Sequence, residues 1–387
     1  MRDGKVDATK CTQRQQREDG IEGASAVREV CSMYFHLMGE KGHEQLVFCH
    51  DPSVGLRAII AVHSTVLGPS LGGCRFRPYQ TEREAVIDVL RLAEGMTLKA
   101  SAAGLDLGGG KAVIFGDPAV DKSEELLRAF GRHVDALGGR YITAEDVGTT
   151  REDMDLIRRE TKWVTGVSDV FGGGGDPSPA TAYGVLQGMH ATALSRWGDD
   201  SLHGRHVAVQ GAGKVGAALV GLLVEAGCRV TVADVDQAVV QRCVREHGCE
   251  STGWKNILSL DCDILAPCAL GGVFSLDNLD WVKAQTICGA ANNQLVTADV
   301  AVEMSKRGIL YAPDFIVNSG GIISVGAELE GYNAERVRQQ CDGIRDTTLR
   351  VLGEAEEAEI STDEAGKKIA WERVEKIARV HRIRRPF

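Results

Sequence analysis

The sequence predicts an α/β protein of two domains flanking a cleft, the second of them built on a doubly wound parallel sheet. Three observations predict it. Strand and helix patterns alternate along most of the chain. A glycine run, Phe171-Gly172-Gly173-Gly174-Gly175-Asp176-Pro177, breaks the chain near its middle. Beyond that break a short apolar strand, a glycine-rich turn and a helix follow one another from Val207.

At 387 residues the chain exceeds one typical core, so two domains are expected. We place a polar extension at 1–33, a first domain at 34–175 joined by 357–387, and a second at 176–356. The apolar share of 43% and charged share of 25% are those of an ordinary globular protein, and no apolar run is long enough to span a bilayer. No membrane is therefore expected as a partner. A net charge of −10 argues against nucleic acid, and the basic end around Arg379, Arg382, Arg384 and Arg385 is too short to reverse that. Eleven cysteines, from Cys11 to Cys341, are scattered singly, without a Cys-x-x-Cys pair or histidines at zinc-ligand spacing. They read as reduced thiols of a cytoplasmic protein, with no metal site. The first thirty or so residues lack the apolar core of a signal peptide.

In the first domain, strands are expected at Gln45–Cys49 and Leu56–His63. Thr81 and Glu84 have capping-box spacing, and the helix they open carries Val86, Val89, Ala93 and Met96 on one stripe. Lys99 continues that stripe. A lysine there must shed its charge or find an anion, unless it merely snorkels out at the helix end. The helix runs out at Gly104, and Gly108-Gly109-Gly110-Lys111 then enters a strand. Three glycines let the backbone approach a ligand closely; a plain glycine-rich turn is the alternative, and the phosphate-loop pattern is not met. A helix over about 123–137 ends at Gly138-Gly139. Tyr141 to Thr150 reads as a short strand, a loop holding Asp146, and a helix cap at Thr150.

Lys99, Lys111 and Asp146 gain weight in combination. A free lysine titrates near about 10.4, so a lysine base at neutral pH needs that value lowered by about three pH units. Desolvation and a second nearby cation supply this, and Lys99 and Lys111 are placed to do so for each other. The glycine run at 172–175 reads as a hinge on which the cleft closes and expels water.

The second domain opens with the strand Val207–Gln210, the turn Gly211-Ala212-Gly213-Lys214-Val215-Gly216 and a second strand, Arg229–Ala233, ending at Asp234. This is a complete dinucleotide fingerprint of the Rossmann type. Gly211 makes the tight turn, Gly213 admits a pyrophosphate to the helix N-terminus, and Gly216 allows close packing. Asp234 lies 23 residues after Gly211, where a carboxylate accepts from the adenosine ribose and repels a 2′-phosphate, so NAD is favoured over NADP. Further strands at 263–266 and 286–290 end in the loops Pro267-Cys268-Ala269 and Ala291-Asn292-Asn293. Ligands bind at such ends, making Cys268 a cofactor neighbour or a buried structural thiol. Helical patterns over 334–357 and 362–380 are expected to cross back and brace the first domain.

Taken in order, Gly42-His43-Glu44-Gln45, Leu67-Gly68-Pro69 with Gly72-Gly73, Gly95-Met96-Thr97-Leu98-Lys99, Gly108 to Lys111 and Thr143 to Gly148 resemble the glutamate, leucine, phenylalanine and valine dehydrogenase family. So do Ala266-Pro267-Cys268-Ala269, Ala290 to Gln294, and Tyr311-Ala312-Pro313-Asp314 with Asn318-Ser319-Gly320-Gly321. The resemblance covers about residues 34 to 375. It implies reversible oxidative deamination of an L-amino acid to its 2-oxo acid and ammonia, with NAD as cofactor, in a homo-oligomer assembled through the first domain. Lys99 would bind the substrate carboxylate, Lys111 would activate water as general base, and Asp146 would relay a proton with the amino group. Gly72 and Asn318 would complete the substrate site. Thr181, the turn from Gly211 to Gly216, Asp234, Cys268, Ala269 and Asn292 would hold the cofactor.

Leu71 stands where glutamate-specific relatives carry a lysine, Ala144 is similar to the leucine and valine enzymes, and Ile322 is a third wall. The implied substrate is an apolar amino acid of the leucine, valine or isoleucine type. Departures at Cys74, Ser324 and Gly326-Ala327-Glu328 bear on that choice, not on the reaction class. An aromatic substrate, phenylalanine or tryptophan, and a non-catalytic NAD-binding regulator are the alternatives.

Overall fold

The apolar run Leu-Arg-Ala-Ile-Ile-Ala-Val-His-Ser forms strand β2 (Leu56–Ser64), and it can be nearly continuous because both of its faces are covered. The computed structural model describes residues 34–380, so the polar extension and the last arginines of the tail lie outside the described residues. After a helical segment, α1, over residues 34–41, the chain forms β1 (Gln45–Asp51), β2, β3 (Ser70–Arg77), helix α2 (Glu82–Ala102), β4 (Gly108–Phe115), α3 (Glu124–Asp135), β5 (Tyr141–Glu145) and α4 (Arg151–Arg158). The five strands make one sheet in the order β1-β2-β4-β3-β5, antiparallel across β1-β2 and β2-β4 and parallel beyond.

Alternation of side chains across the strands divides this sheet into two cores. Ile59 and Val113 pack with Val86, Val89 and Ala93 of α2. Their neighbours Ile60 and Ile114 pack on the opposite face with Leu127 and Phe130 of α3 and Met154 and Ile157 of α4. Thr81 caps α2 by accepting from Glu84 N at 3.1 Å, but the returning Glu84 carboxylate takes Gln80 N, one residue earlier than a reciprocal box. The reciprocal box forms at α4 instead, between Thr150 and Asp153.

Helix α5 (Ser178–Trp197) leads into β6 (His206–Gln210), α6 (Lys214–Glu225), β7 (Arg229–Ala233), α7 (Gln237–His247), β8 (Glu250–Ser251), β9 (Ile264–Pro267), β10 (Thr286–Ile287), α8 (Asp299–Lys306) and β11 (Leu310–Tyr311). All six strands are parallel, in the order β11-β10-β9-β6-β7-β8. The order reverses between β6 and β9, the switch point outside whose carboxyl ends ligands bind in open parallel sheets. β10 stops three residues before the expected Ala290, because Gly289 leaves the ladder to pack directly on the backbone of Pro267.

Four more helices follow, α9 (Asp314–Val317), α10 (Gly320–Ala327), α11 (Ala334–Ala358) and α12 (Thr362–Val380). The last returns to the first sheet's helix as expected. Leu98 and Ala102 of α2 pack with Ala365 and Ile369 of α12, and Ser101 Oγ donates to Ala370 O at 2.7 Å.

The glycine run between the sheets is pinned rather than slack. A side chain on Gly174 would collide with the Tyr332 ring, and one on Gly173 with the Val167 carbonyl. Glu328, just past α10, accepts from Gly174 N at 2.9 Å and Gly166 N at 2.8 Å. These glycines provide close approach, the pivot being held by a carboxylate on the far side. Among the described residues no helix is long and apolar enough to cross a membrane, and nine cysteines are free thiols.

Candidate active site

Helix α2 lies directly on β4 because the strand opens with glycines. A Cβ on Gly109 would strike the backbone of Thr97 and Ala93, and one on Gly110 would lie 2.7 Å from the Tyr141 ring. The glycines expected to approach a ligand therefore approach a helix and a buried tyrosine, and this brings Lys99 close enough to Lys111 for the Lys111 charge to bear on it. Lys111, 5% exposed, sets its Nζ 3.0 Å from Asp146 Oδ2 at the end of β5.

A second cation, unassigned from the sequence, meets the same oxygen. Arg75 of β3 donates from Nε to Asp146 Oδ2 at 2.9 Å. Its signal was present in the chain as the arginine that follows Gly72-Gly73-Cys74. Burial acts to raise the Asp146 pKa, yet Lys111 and Arg75 outweigh it and hold the carboxyl below its usual range.

Lys99 reaches toward the second sheet, where its Nζ donates to Asn292 Oδ1 at 2.7 Å. Asn318 Nδ2 donates to that same oxygen at 2.9 Å and to Ala290 O at 3.0 Å. The remaining amide oxygen, Asn318 Oδ1, is buried with no hydrogen-bond partner among the described residues, an acceptor open to a ligand's N–H. Burial pushes the Lys99 pKa down to about 8, and the Lys111 charge adds to that, against the opposing pull of Asp314 and Asp146. Asp314, which the sequence motif leaves without a role, accepts from Gln294 N at 2.8 Å, and burial raises the pKa of its carboxyl.

An apolar wall adjoins these charges. Leu71 and Ile322 share one cluster with Leu107 and Ile142, supported by Met96 and Val325. Gly72 lies between strands where a side chain would meet the Gly110 carbonyl. Ala144 is buried and pairs in register with Gly73, outside the Leu71 cluster. Cys74 belongs to the core on the other face of the sheet, apart from the Leu71 cluster.

The glycine turn after β6 fits a dinucleotide on three structural counts. Gly211 has φ +104°, a side chain on Gly216 would strike the Gly211 carbonyl, and Gly213, the N-cap of α6, has open space beside it. Ala212 N donates to Asp234 Oδ2 at 2.8 Å, which ties the carboxylate at the end of β7 to the turn itself. Cys268 N donates to Gln210 O at 2.7 Å, and a side chain on Gly211 would meet Ala269 N at 2.8 Å. Burial pushes the Cys268 thiol up to about 12, which makes it an inert wall. Lys214 is exposed and pairs with Asp176 at 3.4 Å, while Val215 is half-buried against the core. Thr181, in the first turn of α5, donates from Oγ1 to Pro177 O at 3.0 Å and lies against Gly321.

The family described as "Glu/Leu/Phe/Val dehydrogenase, dimerisation domain" matches residues 43–163, and "Glutamate/Leucine/Phenylalanine/Valine dehydrogenase" matches 172–243 and 240–382. A leucine dehydrogenase of Bacillus subtilis is 50% identical over 89% of this chain and 95% of its own. A valine dehydrogenase of Streptomyces virginiae is 51% identical over 86% and 94%. The crystal structure of L-tryptophan dehydrogenase from Nostoc punctiforme superposes with a TM-score of 0.79 at 41% identity, over 89% of this chain and 99% of that one. The paired cations on Asp146, the glycine turn and these matches lead to one conclusion: the chain belongs to the glutamate, leucine, phenylalanine and valine dehydrogenase family.

Proposed function

We propose that this protein is an NAD-dependent L-amino-acid dehydrogenase that oxidatively deaminates apolar amino acids of the leucine, valine and isoleucine type, reversibly, to the 2-oxo acid and ammonia. The observation that carries the reading is the Lys111–Asp146 contact of 3.0 Å, with the Lys111 charge also acting on Lys99; Leu71 and Ile322, which share one apolar cluster, are assigned to the side-chain site. Lys99, released from Asn292, pairs with the substrate carboxylate. The leucine and isoleucine of this apolar cluster take the side chain. Asn318 Oδ1 supplies an acceptor to an N–H of substrate or cofactor.

A nicotinamide cofactor held at the Gly211–Gly216 turn would supply the hydride acceptor for the substrate Cα. Lys111, in its neutral form, takes a proton from the water that adds to the resulting imine carbon, and Asp146 passes a proton to the departing amine. The short Lys111–Asp146 contact is the path by which the two exchange that proton. Desolvation on closure strengthens each of these interactions.

The preference for NAD over NADP is supported by Asp234, a carboxylate at the end of β7 tied to the glycine turn through Ala212 N, because an acid there accepts from the ribose and repels a 2′-phosphate. The first domain is proposed to span 34–175 with 357–387 and the second 176–356. Assembly through the first domain is supported by the exposed edge strand β1, which presents Phe48 beside Tyr34. The nine free thiols among the described residues support a reducing compartment such as the cytoplasm. The likeness to a tryptophan dehydrogenase favours one second reading, the same reaction on an aromatic side chain.

Reduction of 4-methyl-2-oxopentanoate by NADH, with and without ammonium, tests the reaction class. Consumption of NADH only with ammonium supports the proposal, and reduction without ammonium would mean a hydroxy-acid enzyme.

A further inference from the structure

Resting on the proton exchange between Lys111 and Asp146 proposed above, we infer that Arg75 is a positioning residue for Asp146, which anchors the carboxylate through Oδ2 and remains its counter-ion while Lys111 is neutral. The geometry begins with convergence. Lys111 Nζ at 3.0 Å and Arg75 Nε at 2.9 Å both approach Oδ2, and among the described residues none donates to Oδ1. One oxygen is thereby pinned and the other is left for the reacting nitrogen.

Arg75 is itself fixed. Its Nη1 donates to Asp88 Oδ2 of α2 at 3.1 Å, and Asp88 also accepts from Tyr79 Oη at 2.9 Å and from Arg91 Nη2 at 3.1 Å. Arg75 and Asp88 keep only 17% and 14% of their side-chain surface exposed, so this is a built-in chain of partners, not a surface pair. A planar guanidinium held at both ends restrains the Asp146 carboxylate more tightly than a lysine ammonium alone.

The chemistry requires such a residue. Whenever Lys111 gives up its proton to act as base, Asp146 loses one of its two cations. With no other counter-ion it would become an uncompensated buried anion and would retain a proton. A guanidinium cannot be deprotonated in a protein, so Arg75 supplies a charge that survives the catalytic cycle.

The groups facing Asp146 leave Arg75 this role. Lys111 approaches from β4, Arg75 and Cys74 from β3, Tyr141 from β5 and Lys99 from α2. Burial holds the Cys74 thiol and the Tyr141 phenol well above their ordinary ranges, so both stay neutral. Lys99 is engaged with Asn292, or with substrate. Arg75 is the permanent cation in contact with the carboxylate.

The test is the pH profile of kcat/KM for oxidative deamination of the best L-amino acid, in the full-length wild type, Arg75→Gln, Arg75→Lys and Asp88→Asn. Arg75→Gln is expected to lower kcat about 10- to 100-fold. The acidic limb should move up by about one pH unit. KM for NAD should change less than about threefold. Arg75→Lys should return the limb toward wild type by restoring the charge, with kcat only partly recovered, and Asp88→Asn should shift it upward by less. An active wild type with an unmoved acidic limb in Arg75→Gln overturns the inference alone. Should Arg75→Gln fail to fold, a wild-type limb and kcat in both Arg75→Lys and Asp88→Asn overturn it. A wild type that produces no NADH from any L-amino acid overturns the dehydrogenase reading and this inference with it.

Discussion

Lys99 Nζ, at the last turn of α2, donates to Asn292 Oδ1 in the loop after β10 across 2.7 Å, so a hydrogen bond joins the helix of the first sheet to the second sheet at the place where the substrate carboxylate is proposed to bind. The substrate then replaces an internal partner, and the cation is never left without one.

This pairing gives a pH dependence with a definite sign. The Lys99 pKa lies at about 8, below its ordinary value, and only the ammonium attracts a carboxylate. The attraction is present below that pH and is lost as pH rises through it. A branched carboxylic acid without an amino group, which does not itself titrate from pH 7 to about 10, is expected to inhibit competitively with Ki rising above pH about 8. In Lys99→Arg, whose charge is permanent, the rise should disappear; a Ki flat in wild type over that range would contradict the assignment.

Lys111→Ala is expected to lower kcat by about 100- to 10,000-fold while leaving NAD affinity near the wild-type value, measured by fluorescence titration of NADH. Near-normal turnover, or loss of cofactor binding, would sink the role given to Lys111.

Glu328 carries a structural prediction. Its carboxylate accepts from Gly166 N, ahead of the glycine run, and from Gly174 N, within it. Glu328→Ala leaves those two donors without their acceptor and should destabilise the protein by about 1–3 kcal/mol in urea unfolding. An unchanged midpoint would show that the pivot does not depend on it.

Pocket size is tested at Ala144, which is buried on β5 in register with Gly73. Removing its methyl group is expected to raise kcat/KM for phenylalanine relative to leucine by about 10-fold, within the range that one methylene commands. No change in that ratio would remove Ala144 from the pocket wall.

The fold was largely legible because its signals are local. The cap at Thr81, the stripe that ends in Lys99 and the strand-turn-helix at Gly211 each announce themselves within a dozen residues, and each is found where expected. Arg75 and Glu328 were not legible in the same way. Their partners, Asp146 and Asp88 for one and Gly166 and Gly174 for the other, are distant in sequence and are brought together only by the β3-β5 register and by the return of α10 to the first sheet. The glycines of β4 were recognised, but which neighbour they admit depends on how α2 lies on the sheet. Substrate choice is the least legible property, since Leu71, Ala144 and Ile322 come from three separate elements.

The measurement that tests the central claim most directly is NADH formation from NAD with L-leucine, L-valine, L-isoleucine, L-phenylalanine, L-tryptophan and L-glutamate at alkaline pH. The account predicts turnover of the branched aliphatic amino acids above the aromatic ones and little or none with glutamate. Preference for aromatic substrates would contradict the pocket assignment, and no activity with any of the six would contradict the reaction itself.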